Sequence, residues 1–209
     1  MRRRLLAKRL KFLLGWKPLT MLVGGTGVGK TVLACGLTDV YFDLKNPAGR
    51  DALLAEWQQV IGGKRRVVLD GVASMPELLP LLVADMDRLC RKPYREILLV
   101  SSVAPSRLRS FKAELAEYTS VAVLTPLFLN ELGAMGDIDR LWFYGGYPTG
   151  GILRKQHYPT WHRDHLGHLL EKELPRLGML ASPQITKRLF RELALTHGQI
   201  WNASAIARR

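Results

Sequence analysis

Cysteine and acidic residues are scarce in this chain, and no apolar run is long. Only Cys35 and Cys90 occur in 209 residues. They stand far apart without metal-ligand spacing, which argues against a disulfide framework or a cysteine metal site. Both fall in apolar helical contexts and read as buried thiols of a reduced cytoplasm. The longest uncharged stretches, such as Leu141 to Leu153, fall short of the roughly 20 apolar residues a spanning helix needs and are broken by glycine and proline. No internal repeat or low-complexity tract is present. Asp and Glu total 18 against 31 Lys and Arg, a net charge of +13. No acid at all stands between Met1 and Lys17, where seven basic residues do. Such a balance suits an anionic partner, nucleic acid or lipid headgroups. A plainer reading competes: Leu6, Leu10, Leu13 and Leu14 form a helical stripe, so the segment packs its apolar side on the domain and leaves its cations solvated. A transit peptide is the third reading, although cleaving it would leave the first strand almost at the chain start.

What is present is enough for a core: 47% of residues are hydrophobic, and the length suits one α/β domain with a small helical appendage. The most specific stretch is Gly24-Gly25-Thr26-Gly27-Val28-Gly29-Lys30-Thr31, which fits the phosphate-loop pattern G-x-x-x-x-G-K-[ST]. Its flanks are those such a loop requires. Leu19 to Val23 is a short apolar run typical of a strand buried on both faces, and Val32 to Leu37 continues as an apolar helix start. Glycines let consecutive backbone N–H groups turn toward phosphate oxygens, and the helix N-terminus adds partial positive charge. The backbone from Gly25 through Thr26, Gly27, Val28, Gly29, Lys30 and Thr31 to Val32 is thus the expected nucleotide-binding segment. Lys30 is expected to reach the β- and γ-phosphates, and the Thr31 hydroxyl to take one position on Mg²⁺. Lys30→Ala should abolish tight binding.

Further along, strands alternate with helices. Val40 to Leu44 reads as a second strand, Arg66 to Asp70 as a third, Glu96 to Ser102 as a fourth and Ser120 to Leu124 as a fifth. Between them Arg50 to Ile61, with Leu53, Leu54, Trp57 and Ile61 on one face, and Pro76 to Cys90 read as helices. This predicts an α/β fold, a P-loop NTPase parallel sheet flanked by helices, with ligands at the carboxyl ends of the strands. The loop, Asp70 and Ser101-Ser102 all fall at such ends. From Pro126 onward helices are expected at 127–134, 137–143, 161–174 and 183–197. The predicted organisation is a basic N-terminal helix (1–17), a P-loop core (18–125) and a helical lid or adaptor (126–209).

On these residues the chain resembles the prokaryotic AAA-type ATP-binding proteins that join a P-loop domain to a C-terminal winged-helix and nuclease-like domain. The matching segments are the P-loop, Tyr41-Phe42-Asp43-Leu44, Val68-Leu69-Asp70 with Met75-Pro76-Glu77-Leu78-Leu79, and Leu99-Val100-Ser101-Ser102. They continue through Pro126-Leu127 with Asn130-Glu131-Leu132, Gly145-Gly146-Tyr147-Pro148, Leu170 to Pro175, and Leu193-Ala194 with Gly198, Asn202 and Ala203. The resemblance implies a central strand inserted between those bearing the loop and Asp70. It further implies that Asp70 holds Mg²⁺ and that Ser101 or Ser102 contacts the γ-phosphate or the attacking water. Lys30, Asp70, Ser101 and Ser102 are accordingly the candidate catalytic residues, Thr31 and Asp70 the metal ligands, and ATP with Mg²⁺ the cofactors. Many such sites are completed by a neighbouring subunit, but nothing in this chain identifies a trans arginine.

The departures from the pattern bear on catalysis. An acidic residue is expected directly after Asp70 and a glutamine two residues beyond, where this chain has Gly71 and Ala73. Losing the group that orients the attacking water slows the chemical step, by about 10²- to 10⁴-fold, with ground-state binding retained. Restoring it as Gly71→Glu is then expected to raise turnover. Glu117-Tyr118 replaces an expected Gly-Arg pair. Arg107 and Arg109 are substitutes as cationic fingers, with solvated loop charges the plainer reading, and Asp43 reads as a turn cap before it reads as a base. His157, His162, His165, His168 and His197 lack acidic or cysteine partners at ligand spacing. Trp201 to Ala207 looks like the opening of a winged-helix unit with no room for its recognition helix. Two functions remain in view: a slow ATPase, or a non-hydrolysing nucleotide switch that offers basic helices to nucleic acid or a protein. A small-molecule kinase would need an acceptor constellation that only fold analogy suggests.

Overall fold

The computed structural model describes residues 4–63, 65–91, 96–103, 113–133, 137–200 and 202–208. Contacts divide the chain into one unit ending at Lys155 and a second from Gln156.

In the first unit five strands form one sheet: β1 (Leu19–Val23), β2 (Val40–Asp43), β3 (Val67–Asp70), β4 (Ile97–Ser101) and β5 (Thr119–Val123). Their order is β2-β3-β4-β1-β5, and every pairing is parallel. This is the expected α/β fold, and β4 occupies the predicted place between β1 and β3. Register aligns Val23 with Ser101 and with Val123, and Asp70 with Val100. The residues ending β1, β3 and β4 therefore open onto one edge.

Side-chain alternation explains the layering, because successive residues of a strand face opposite sides. Leu19, Met21 and Val23 of β1, Val67 and Leu69 of β3, and Ile97 and Leu99 of β4 share one core. Against it pack α3 (Pro47–Ala55), α4 (Trp57–Gly62), α5 (Leu78–Ala84) and α6 (Met86–Leu89) through Leu53, Trp57, Ile61, Leu79, Leu82 and Leu89. Leu22, Val68, Leu98 and Val100 face the other side, covered by α1 (Leu6–Leu14) and α2 (Lys30–Cys35). On α1 Leu10 and Leu14 are buried while Lys8, Arg9 and Lys11 are exposed. The apolar side of that segment packs on the domain as that reading has it, whereas Arg4 is not solvated but paired with Glu131.

Several helices differ from expectation. Arg50 to Ile61 is not one helix: it breaks at Glu56, and Leu54, expected on the buried face, is 49% exposed. The long helix expected over Pro76 to Cys90 is likewise two pieces, α5 and α6, joined at Asp85. Asp85 turns inward to accept from Trp57 Nε1 at 2.7 Å. Where a helix was expected over 127–134, the described residues form a 3-10 turn, Leu129–Glu131, and no α-helix. Glu131 is the reason: its carboxylate accepts from Phe128 N (3.0 Å) and Leu5 N (2.8 Å) and pairs with Arg4 at 3.1 Å. A long-range anchor there overrides local helix propensity. Leu127, Leu132 and Ile152 form a small core with Leu141 and Tyr144 of α8 (Ile138–Tyr144), and the described residues of 126–155 belong to the same unit as the sheet. The preceding segment Ala113–Tyr118 is α7.

The second unit holds α9 (Tyr158–His168), a π-helical turn (Leu169–Glu173), α10 (Leu174–Arg176), α11 (Pro183–Leu195) and α12 (Ala203–Ala207). Ser182 Oγ accepts from Ile185 N, and Asn202 Oδ1 from Ala205 N, capping α11 and α12. Neither cysteine is buried as expected: Cys90 is half-buried, and Cys35 is exposed on the outer face of α2, where Leu33 and Ala34 face inward.

Candidate nucleotide site

The glycine-rich segment connects β1 to α2 at the carboxyl edge of the sheet. Gly29 sits directly before α2 at φ +98°, the left-handed region that a side chain strongly disfavours, and this turns the chain sharply into the helix. Lys30 is buried and its ammonium donates to the carbonyls of Gly24 (2.8 Å) and Gly25 (2.9 Å). Those bonds hold the cation inside the loop's own curve. The side chain of Val32 points outward, 59% exposed, so only its backbone is placed to serve the loop.

Thirty-nine residues further on, the end of β3 brings Asp70 to Thr31. The Thr31 hydroxyl donates to Asp70 Oδ2 at 2.5 Å, and the Tyr41 phenol donates to the same oxygen at 3.1 Å. Burial, followed by the Asp70 charge, raises the Tyr41 pKa above the ordinary tyrosine range, so the phenol stays a donor. Asp70 itself is 2% exposed. Such a carboxylate requires compensation, and the third partner was not foreseen: Lys45, on the loop after β2, places Nζ 3.4 Å from Asp70 Oδ1. Gly71 explains how it reaches. A β-carbon there would lie 2.7 Å from Lys45 Cγ, and the residue has φ +88°. The space beside the position read as a missing glutamate is thus taken by the stem of a lysine, which a side chain at Gly71 would have to displace.

The two serines diverge. Ser101 is buried and its hydroxyl is engaged locally, donating to Val103 O (2.8 Å) and accepting from Val103 N (3.0 Å). Ser102 is exposed, with Thr26 Oγ1 donating to its Oγ at 3.4 Å, so it faces the loop. Asp43 Oδ1 accepts from Lys45 N at 3.1 Å, the turn-capping role. Arg107 and Arg109 lie outside the described residues.

Gly145-Gly146-Tyr147-Pro148, one of the segments that carry the resemblance, follows α8. In the structure this strap lies across the loop: a β-carbon at Gly25 would be 3.1 Å from the Tyr147 hydroxyl, and one at Gly27 3.7 Å from Thr149 Oγ1. Beside it a cavity of about 190 Å³ is lined by Arg4, Val28, Gly29, Val32, Leu33, Leu127, Pro148 and Leu153. Arg4 also donates to Val28 O at 3.2 Å, tying the N-terminal segment to the loop. A larger hollow of about 590 Å³ includes Val40 and Val67, the first residues of β2 and β3, at the opposite edge of the sheet.

Among the described residues no cluster of three or more His, Cys, Asp or Glu could hold a metal ion. The oxygens of Thr31 and Asp70 are nonetheless a fitting donor set for magnesium, which prefers hard oxygen ligands and takes most of the others from phosphate and water. The histidines of α9 have other roles: His165 stacks on Trp161 at 4.8 Å, with its pKa lowered by burial and then by His168 and His162, while His168 meets Glu173 at 3.1 Å. No described helix is long and apolar enough to cross a membrane.

No family model matches the chain. Two uncharacterized proteins, from Mycobacterium bovis and Mycobacterium tuberculosis, are each 28% identical to it over 211 residues, 99% of this chain and 47% of their own length. The chain thus spans about half the length of the curated relatives it matches. Among solved structures it is similar to a DNA replication initiation factor (15% identity, TM-score 0.44, 66% of this chain and 49% of that one). It is also similar to replication initiator DnaA bound to AMPPCP and single-stranded DNA (15%, 0.44, 82% and 69%). A third is AMPPCP-bound DnaA from Aquifex aeolicus (15%, 0.41, 81% and 68%).

Proposed function

We propose that this chain is an AAA-type P-loop protein that binds ATP with its triphosphate along Gly25 to Val32. The observation that carries the reading is the meeting of Thr31 and Asp70 at 2.5 Å, on separate elements, beside a buried lysine in a glycine-rich loop. Lys30 trades the Gly24 and Gly25 carbonyls for β- and γ-phosphate oxygens, an exchange that keeps its donors satisfied. Thr31 and Asp70 hold magnesium, which when bound neutralises charge on the transferring phosphate. Ser102, the serine that faces the loop, takes the γ-phosphate contact. The apolar cavity beside Gly29 and Pro148 takes the base.

Hydrolysis is slow in this reading. The residue after Asp70 offers no carboxylate to orient water, and Asp43 is committed to a turn. The same observation favours a second reading, a switch that binds ATP without turning it over. Binding of a fluorescent ATP analogue, measured beside steady-state phosphate release, tests both. Saturable binding by the native chain and its loss in Lys30→Ala are expected. Turnover above that variant identifies the slow ATPase, and none above it identifies the switch. A native chain that binds no nucleotide would refute the proposal.

A further inference from the structure

We infer that Lys45 is a resident cation of the Asp70 carboxylate, standing in for much of the divalent metal's charge, so that nucleotide is retained with little need for magnesium. The inference rests on the nucleotide-binding reading above. Asp70 is the carboxylate at the mouth of the phosphate loop, and its side chain is 3% exposed. Two neutral donors, Thr31 and Tyr41, satisfy one of its oxygens, and Lys45 brings a full positive charge to the other at 3.4 Å.

Three features make this more than a chance surface pair. The lysine backbone is held at its N-terminal side, where Lys45 N donates to Asp43 Oδ1 (3.1 Å) and Leu44 N donates to Asp70 O (2.8 Å). The side chain crosses to Asp70 over Gly71, where any β-carbon would meet its Cγ at 2.7 Å. The carboxylate that would compete for the ammonium is missing from that same position. The Lys30 ammonium, for its part, donates to the loop carbonyls of Gly24 and Gly25. Lys45 is itself 55% exposed along its side chain, so its head can swing between Asp70 and an arriving phosphate. An ammonium neutralises phosphate oxygens as a point charge with three donors. It does not activate a bound water as a metal does, which agrees with retention of nucleotide outlasting its hydrolysis.

The test is the dissociation constant of a fluorescent ATP analogue, measured in excess magnesium and in EDTA, for the native chain, Lys45→Met and Lys45→Arg. The native chain is expected to weaken by less than about threefold on metal removal, and Lys45→Met by about tenfold or more, the value of one charge-assisted contact. Lys45→Arg, which keeps the charge, is expected to behave like the native chain. Equal metal dependence of the native chain and Lys45→Met overturns the inference while leaving nucleotide binding intact. Absence of binding by the native chain in both conditions overturns the nucleotide reading and this inference together.

Discussion

The sheet unit and the helical unit place their apolar residues in opposite ways. Every residue of β1, β3 and β4 is buried, Asp70 and Ser101 included, so the strand ends that form the site are fixed by packing from two sides. In the helical unit α9 and α12 bury no residue fully and α11 buries only Thr186. Local devices hold those helices: the Ser182 and Asn202 caps and the ring stacks of Tyr158, Trp161 and His165. A site that must bring Thr31 to Asp70 needs the first kind of support, because only nonlocal packing keeps residues so far apart in the chain within hydrogen-bond distance.

The comparison breaks first at Leu99, in the central strand β4 with no exposed surface. Leu99→Ala should cost about 2–5 kcal/mol in denaturant unfolding, through lost burial and the cavity left behind. A cost below that of a helix cap would mean the sheet does not carry the stability. Gly71→Glu comes next. A side chain at φ +88° costs about 1–3 kcal/mol, and the new β-carbon displaces Lys45. Reduced stability without any gain in phosphate release is expected, and faster release would show that a carboxylate there can reach the water after all. Smallest is Ser182→Ala, which removes the α11 cap at a cost of about 1 kcal/mol. Hydrogen exchange should speed up in the first turn of α11, and unchanged exchange there would show that the Ser182 cap does not hold it.

The strands were legible because each is a short apolar run bounded by turn residues. All five fall within a residue or so of the expected ends, and β1 matches fully. Helix lengths were less so. Arg50 to Ile61 has helical spacing throughout, yet Leu54 faces solvent and the helix breaks at Glu56, since the burial of Leu53 and Trp57 against the sheet sets the path. The helix expected over 127–134 gave way to Glu131, whose partners Arg4 and Leu5 lie more than a hundred residues earlier in the chain. Cys35 looked buried by its neighbours, but a helix six residues long has an outer face too.

Within the candidate site, the sharp turn of Gly25 to Thr31 into α2 could be read directly, because it is set by glycines and one lysine that are all local in sequence. Asp70 could be placed at a strand end by pattern. Its company could not. That Lys45 crosses over Gly71, that Ser102 and not Ser101 faces the loop, and that Tyr147 lies across it are consequences of how separate β-strand ends and a distant strap converge. Order along the chain carries the chemistry of one loop. Which charge neutralises a buried carboxylate depends on distances of a few ångströms between segments far apart in the chain, and only the packed sheet sets those.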